Sequence, residues 1–159
     1  MIFLTLGSQK FQFNRLLKSV DELIEKEIIT ETVFAQIGYS DYKPLHYEYQ
    51  NFINTTQFLN VIDKSDIVIC HGGTGIIITS IKRGKKVIAV PRLSEFGEHI
   101  DDHQIQLIKE FNNQNLICGL DSCEELAKGI DFVRHQTFKK YKSNTIAFIN
   151  SIEEFLGGN

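Results

Sequence analysis

The sequence predicts an α/β fold in which a parallel sheet carries helices on both faces. Two observations lead to this. Ile67-Val68-Ile69-Cys70 and Val87-Ile88-Ala89-Val90 are short, continuous apolar runs without polar alternation, the signature of strands buried on both sides. Between such runs lie segments with apolar residues at helical spacing, so that strands and helices alternate along the chain.

Taken in order, Ile2 to Leu6 reads as a first buried strand closed by Gly7-Ser8. Leu16, Leu17, Val20, Leu23, Ile24 and Ile28 then recur at helical spacing from about Phe13, with Asn14 as the expected cap. Thr32 to Ile37 is the next strand and Gly38 ends it. Tyr47 to Phe52 alternates weakly as a short strand, and Phe58, Leu59 and Ile62 mark a brief helix. Ile67 to Cys70 runs into His71-Gly72-Gly73-Thr74-Gly75 and then Ile76 to Arg83, a strand, glycine turn and helix stopped by Gly84. Val87 to Val90 is closed by Pro91, and a loop from Arg92 to Ile100 precedes a helix over Gln104 to Phe111. Leu116 to Cys118 reads as a last strand, and Ser122 with Glu125 as a capping box. The whole is a Rossmann-like sheet. Ligands of such sheets bind at the carboxyl ends of the strands, which directs attention to the turns Gly7 to Lys10, His71 to Gly75 and Pro91 to Gln104.

A chain of 159 residues with 42% hydrophobic content suffices for one core, and residues 1–159 are expected to form one domain. A formal net charge of -3 offers no basic field for a nucleic acid. Cys70, Cys118 and Cys123 form no CxxC pair and read as reduced, buried thiols of a cytoplasmic protein. The N-terminal apolar run is too short for a signal segment and there is no 18-residue apolar stretch, so the chain itself is not expected to span a membrane.

His71 to Gly75 carries the clearest chemistry. Its glycines let backbone approach a ligand, and the helix that follows offers free N–H groups to an anion such as a diphosphate. There is no GxGxxG after the first strand and no GxxxxGK[ST], which removes NAD enzymes and phosphate-loop NTPases. The loop Pro91 to Gln104 concentrates titratable groups. His99 and His103 are four apart, but Ile100 stands where a zinc-protease motif needs glutamate and spacing indicates no third ligand, so no metal and no cofactor are expected. Phe138, Tyr141, Thr145, Phe148, Ile149, Ile152 and Phe155 form a helical apolar stripe beside Lys139, Lys140 and Lys142, which reads as core packing or a docking face for a partner or an anionic membrane.

Gly7-Ser8-Gln9, His71 to Gly75, Gly84 to Arg92 and Glu98-His99-Ile100-Asp101-Asp102-His103-Gln104 together resemble the C-terminal domain of family 28 glycosyltransferases, from Ile2 to about Phe155. Within that family the chain is most similar to a single-domain branch, the catalytic subunits of two-piece exopolysaccharide and capsule glycosyltransferases. Their eukaryotic relative is the catalytic subunit of the two-piece transferase that adds GlcNAc to dolichol-linked GlcNAc. The resemblance implies the donor-binding half of a GT-B enzyme that inverts at the anomeric carbon. It implies a UDP-sugar donor, a membrane-anchored acceptor-binding subunit that recruits the chain to the membrane, and a lipid-linked saccharide acceptor. It further implies that Gly7 and Ser8 approach the donor phosphates and that His71, Gly72, Gly73, Thr74 and Gly75 cradle the diphosphate. Asp102, His103 and Gln104 would bind the donor sugar. Thr79 stands where larger relatives place a ribose-binding glutamate. Arg92 or Lys10 is expected to assist at the diphosphate, and Glu98, His99 and Asp101 are the base candidates unless the partner supplies the base. A non-catalytic nucleotide-sugar-binding module is the alternative, and an orphaned interface could self-associate.

Overall fold

The computed structural model describes residues 1–142 together with Asn150 and Glu154. Six parallel strands form one sheet: β1 (Ile2–Thr5), β2 (Val33–Gln36), β3 (Glu48–Gln50), β4 (Ile67–His71), β5 (Lys86–Val90) and β6 (Cys118–Gly119). They lie side by side in the order β3-β2-β1-β4-β5-β6. Five helices accompany them: α1 (Asn14–Glu25), α2 (Thr55–Lys64), α3 (Thr74–Lys82), α4 (His103–Asn113) and α5 (Leu126–His135). The chain winds outward from β1 to β3 and returns to lay β4 beside β1.

Because successive strand residues point to opposite faces, each apolar run feeds two cores at once. Ile2, Leu4, Ile67, Ile69, Ile88 and Val90 pack against Leu16, Leu17 and Val20 of α1 and Leu126, Ile130 and Val133 of α5. Phe3, Val68, Cys70, Val87 and Ala89 pack instead against Ile62 of α2, Ile77 of α3, and Leu107, Ile108 and Phe111 of α4. Both faces are therefore dry, which is why the strands carry no polar alternation. The loops after β1 and β4 lead to helices on opposite faces, and a crevice opens between them at the carboxyl ends of these neighbouring strands.

Two expected caps are replaced by other contacts. The Asn14 side chain donates to Asp41 Oδ1 at 2.6 Å and accepts from Tyr42 N at 3.2 Å, so it ties α1 to the loop after β2 and leaves Phe13 as the N-cap, without a side-chain cap. Ser122 Oγ meets Glu124 at 3.1 Å and Glu125 accepts from Asp121 N at 2.9 Å, so the Ser122–Glu125 box does not form. A capping box is formed by Asn54 and Gln57 at the start of α2. The apolar stripe from Phe138 to Phe155 lies largely outside the described residues; within them, Phe138 and Tyr141 pack against the two cores.

Candidate functional site

The crevice holds a cavity of about 490 Å³ lined by Gln9, by His71 to Gly75, and by His99, Asp101, His103, Gln104 and Leu107. Its floor is His71, the last residue of β4. Burial, and then the nearby Arg92 guanidinium, push the imidazole down to about 3, so that it is neutral at ordinary pH. Glycines surround it. A Cβ on Gly7, which has φ +73, would lie 2.6 Å from His71 Nε2. One on Gly73 would strike the same ring, and one on Gly72 would lie 2.8 Å from Gln104 Cβ. These residues are glycine because the imidazole and α4 occupy the space a side chain would need.

Gln104 braces the floor. Its Oε1 accepts from Gly72 N at 3.0 Å and from Arg92 N at 3.0 Å, joining the turn after β4 to the end of β5. Beside it, α3 begins at Gly73 with no side-chain cap and no acidic residue in its first turn. The N–H groups of that turn have no partner within the helix and carry the positive end of its dipole, so the cavity has an anion-binding wall.

The family model for the glycosyltransferase family 28 C-terminal domain matches residues 1–155. The chain belongs to this family. It is similar to UDP-N-acetylglucosamine transferase subunit ALG13 of Candida glabrata, 28% identical over 124 residues that make up 76% of this chain and 58% of that one. It is also similar to the subunit of the same name in Kluyveromyces lactis, 33% identical over 72 residues, 45% of this chain and 34% of that one. The chain thus spans less than two thirds of either relative. Among solved structures, the glycotransferase of kitacinnamycin aligns with 99% of this chain and 39% of its own at TM-score 0.63 and 15% identity. MurG of Acinetobacter baumannii aligns with 84% of this chain and 41% of its own at TM-score 0.58 and 18% identity. These likenesses show the Rossmann-like fold of one half of a GT-B glycosyltransferase.

Of the residues singled out from the family 28 pattern, His71, Gly72, Gly73, Thr74, Gly75, His99, His103 and Gln104 come together at the cavity, and Gly7 backs His71. Ser8 is exposed on the adjoining turn, while Thr79 lies half-buried further along α3 and does not line the cavity. Asp102 is exposed and its Oδ1 accepts from Ser94 N at 2.7 Å, pinning the loop instead of lining the cavity.

Two of the expected site residues are buried and do not line the cavity. Arg92 is only 1% exposed, and its two terminal guanidinium nitrogens donate to the carbonyls of Leu6, Phe11, Gln12 and Glu98, so it clamps the loop after β1, while its buried Nε is left without a partner. Glu98 is fully buried, bridged to Arg15 at 2.7 and 2.8 Å and accepting from Leu93 N at 2.9 Å. A base needs a lone pair that reaches substrate, and here the Glu98 carboxylate is engaged by Arg15 and Leu93 N. Gln9, Asp101 and Leu107 complete the lining. Gln9 follows the Gly7-Ser8 turn that directed attention here, and Leu107 is one helical turn beyond His103 and so shares its face.

Proposed function

We propose that this chain is the catalytic, UDP-sugar-binding subunit of a two-component inverting glycosyltransferase that acts on a lipid-diphosphate-linked sugar in surface polysaccharide biosynthesis. The observation that carries the proposal is the turn His71 to Gly75 opening onto the uncapped first turn of α3, at the strand ends of a family 28 chain. Sugar transfer is fastest where the departing diphosphate is stabilised as its charge develops, and fixed N–H groups at a helix start do this without reorganising. Neutral His71 shapes the floor without adding a charge to it. With Glu98 buried, the lining favours His99 or Asp101 at the rim as the base, or a group the partner brings. The donated hexose is galactose or glucose by resemblance to the exopolysaccharide branch, while the name of the curated relatives supports GlcNAc as a third donor.

The partner is a membrane-anchored acceptor-binding subunit. The name of the curated relatives, a transferase subunit, supports a partner. Calorimetric titration of the purified chain with UDP, UDP-galactose, UDP-glucose and UDP-GlcNAc tests the donor reading. Saturable binding is expected, weakened at least tenfold by Gly73→Val, whose side chain enters the His71 ring. Circular dichroism confirms that the variant folds. A folded wild-type chain that binds none of the four overturns the assignment of the donor site to this chain.

A further inference from the structure

We propose that His99, Asp101 and His103 form a binding site for one divalent first-row transition-metal ion at the rim of the cavity. Spacing along the chain indicates no third ligand beside the two histidines, but the fold supplies one. One ligand atom from each of the three side chains lies within 4.8 Å of the others. Asp101 Oδ1 stands 3.3 Å from His99 Nδ1 and is hydrogen-bonded to His103 Nδ1. Metal–nitrogen and metal–oxygen bonds of about 2.1 Å at tetrahedral angles put neighbouring ligand atoms roughly 3.4 Å apart, so Asp101 and His99 already stand near the separation of two ligands of one ion. His103 is closer still, and on loading it exchanges its hydrogen bond to Asp101 for a bond to the ion.

The three side chains are held in place before any ion arrives. His103 opens α4, and its backbone N–H donates to Asp101 Oδ1 at 3.1 Å, fixing the carboxylate. The His99 ring lies against Phe11 at 5.2 Å between centroids. The two imidazoles meet edge to face at 4.9 Å and 67°, an arrangement that lets both address one point. Their side chains are 8% and 36% exposed and that of Asp101 52%, so the site is rooted on one side and open to the cavity and solvent on the other.

Two imidazole nitrogens and one carboxylate favour Zn²⁺, Co²⁺, Ni²⁺ or Fe²⁺ over Mg²⁺ or Ca²⁺, which take oxygen ligands. Among the described residues this is the one such group of three; His46 with Asp21, and His135 with Asp131, are pairs. The inference rests on these side chains and not on the donor reading. Its consequence for that reading is that an ion here occupies the lone pairs a base would use, which assigns the base to the partner.

The test is titration of the chelator-treated chain with Co²⁺, followed by its visible d–d absorption and by calorimetry, and then competition with Zn²⁺. One saturable site is expected. Asp101→Asn, at an exposed position, and His99→Phe, which keeps an aromatic ring on Phe11, should each weaken it about tenfold or more while leaving the melting temperature in place. The proposal is overturned if Co²⁺ does not saturate, if both substitutions leave the affinity unchanged, or if His135→Ala removes the binding instead.

Discussion

Arg92 and Glu98 show how a charged loop residue can serve the fold in place of a ligand. In the sequence both stand in a polar loop after a buried strand, where charged groups ordinarily meet ligands. In the fold they are buried, and their charges are consumed by carbonyls, by Arg15 and by a loop N–H. Arg92→Leu strands the carbonyls of Leu6, Phe11 and Gln12, and the expected loss is about 3 kcal/mol or more in urea denaturation. Unchanged stability with lost UDP binding would return Arg92 to the donor site. His71 carries a pH dependence of definite sign. Its folded value of about 3 lies below the ordinary 6.5 because burial, then Arg92, oppose the charged form. As pH falls the unfolded chain takes the proton first, so the native state loses stability from about 6.5 downward, until the folded ring itself titrates near 3. Between pH 7 and pH 5 this amounts to about 2 kcal/mol. Denaturation of wild type and His71→Gln at both pH values checks it: the loss should be smaller in the variant by that amount.

At the scale of elements, α3 offers the sharpest test because its first turn serves both stability and binding. A Cβ at Gly75 meets nothing within 4 Å, yet Gly75 lines the cavity. Gly75→Ala should therefore raise stability by roughly 0.5–1 kcal/mol, through the lower chain entropy of alanine in a helix. It should also weaken UDP, because the new methyl stands in the cradle. A stabilised variant with unchanged UDP affinity would make the glycine merely structural. The same element shows what the sequence makes legible. Ile67 to Cys70 followed by a glycine turn reads as strand, turn and helix because burial on both faces leaves a continuous apolar run and the turn leaves glycines. Caps are less legible. Ser122 and Glu125 have the right spacing, but Asp121 N and Glu124 claim their polar atoms first, and Asn14 is taken by Asp41 and Tyr42 from another loop. In the site, the turn His71 to Gly75 is local and therefore readable. The burial of Glu98 depends on Arg15, 83 residues away, and the approach of Asp101 to two imidazoles depends on how the loop folds.

At the scale of the molecule, the sheet order β3-β2-β1-β4-β5-β6 puts a crevice between β1 and β4, and the lining named above comes from the segments that follow β1, β4 and β5. On the proposed reading, an open crevice would hold the donor with its anomeric carbon facing water, and a second protein would orient the acceptor hydroxyl against it. Holding both reactants in line is worth several orders of magnitude in rate. Chemistry should therefore depend on a second protein far more strongly than binding does. With radiolabelled UDP-sugars and a lipid-diphosphate-linked saccharide, the purified chain should bind donor yet transfer no label. Adding a membrane fraction from source cells that lack this chain should produce labelled lipid, and neither component should do so alone. Gly73→Val should abolish that transfer while leaving the membrane fraction competent to be rescued by wild type. Label transfer by the purified chain alone would mean that the acceptor side is built from this chain, through a second copy or through residues beyond those described. Donor binding without transfer in any combination would instead favour a nucleotide-sugar-binding module that reports donor supply to another protein.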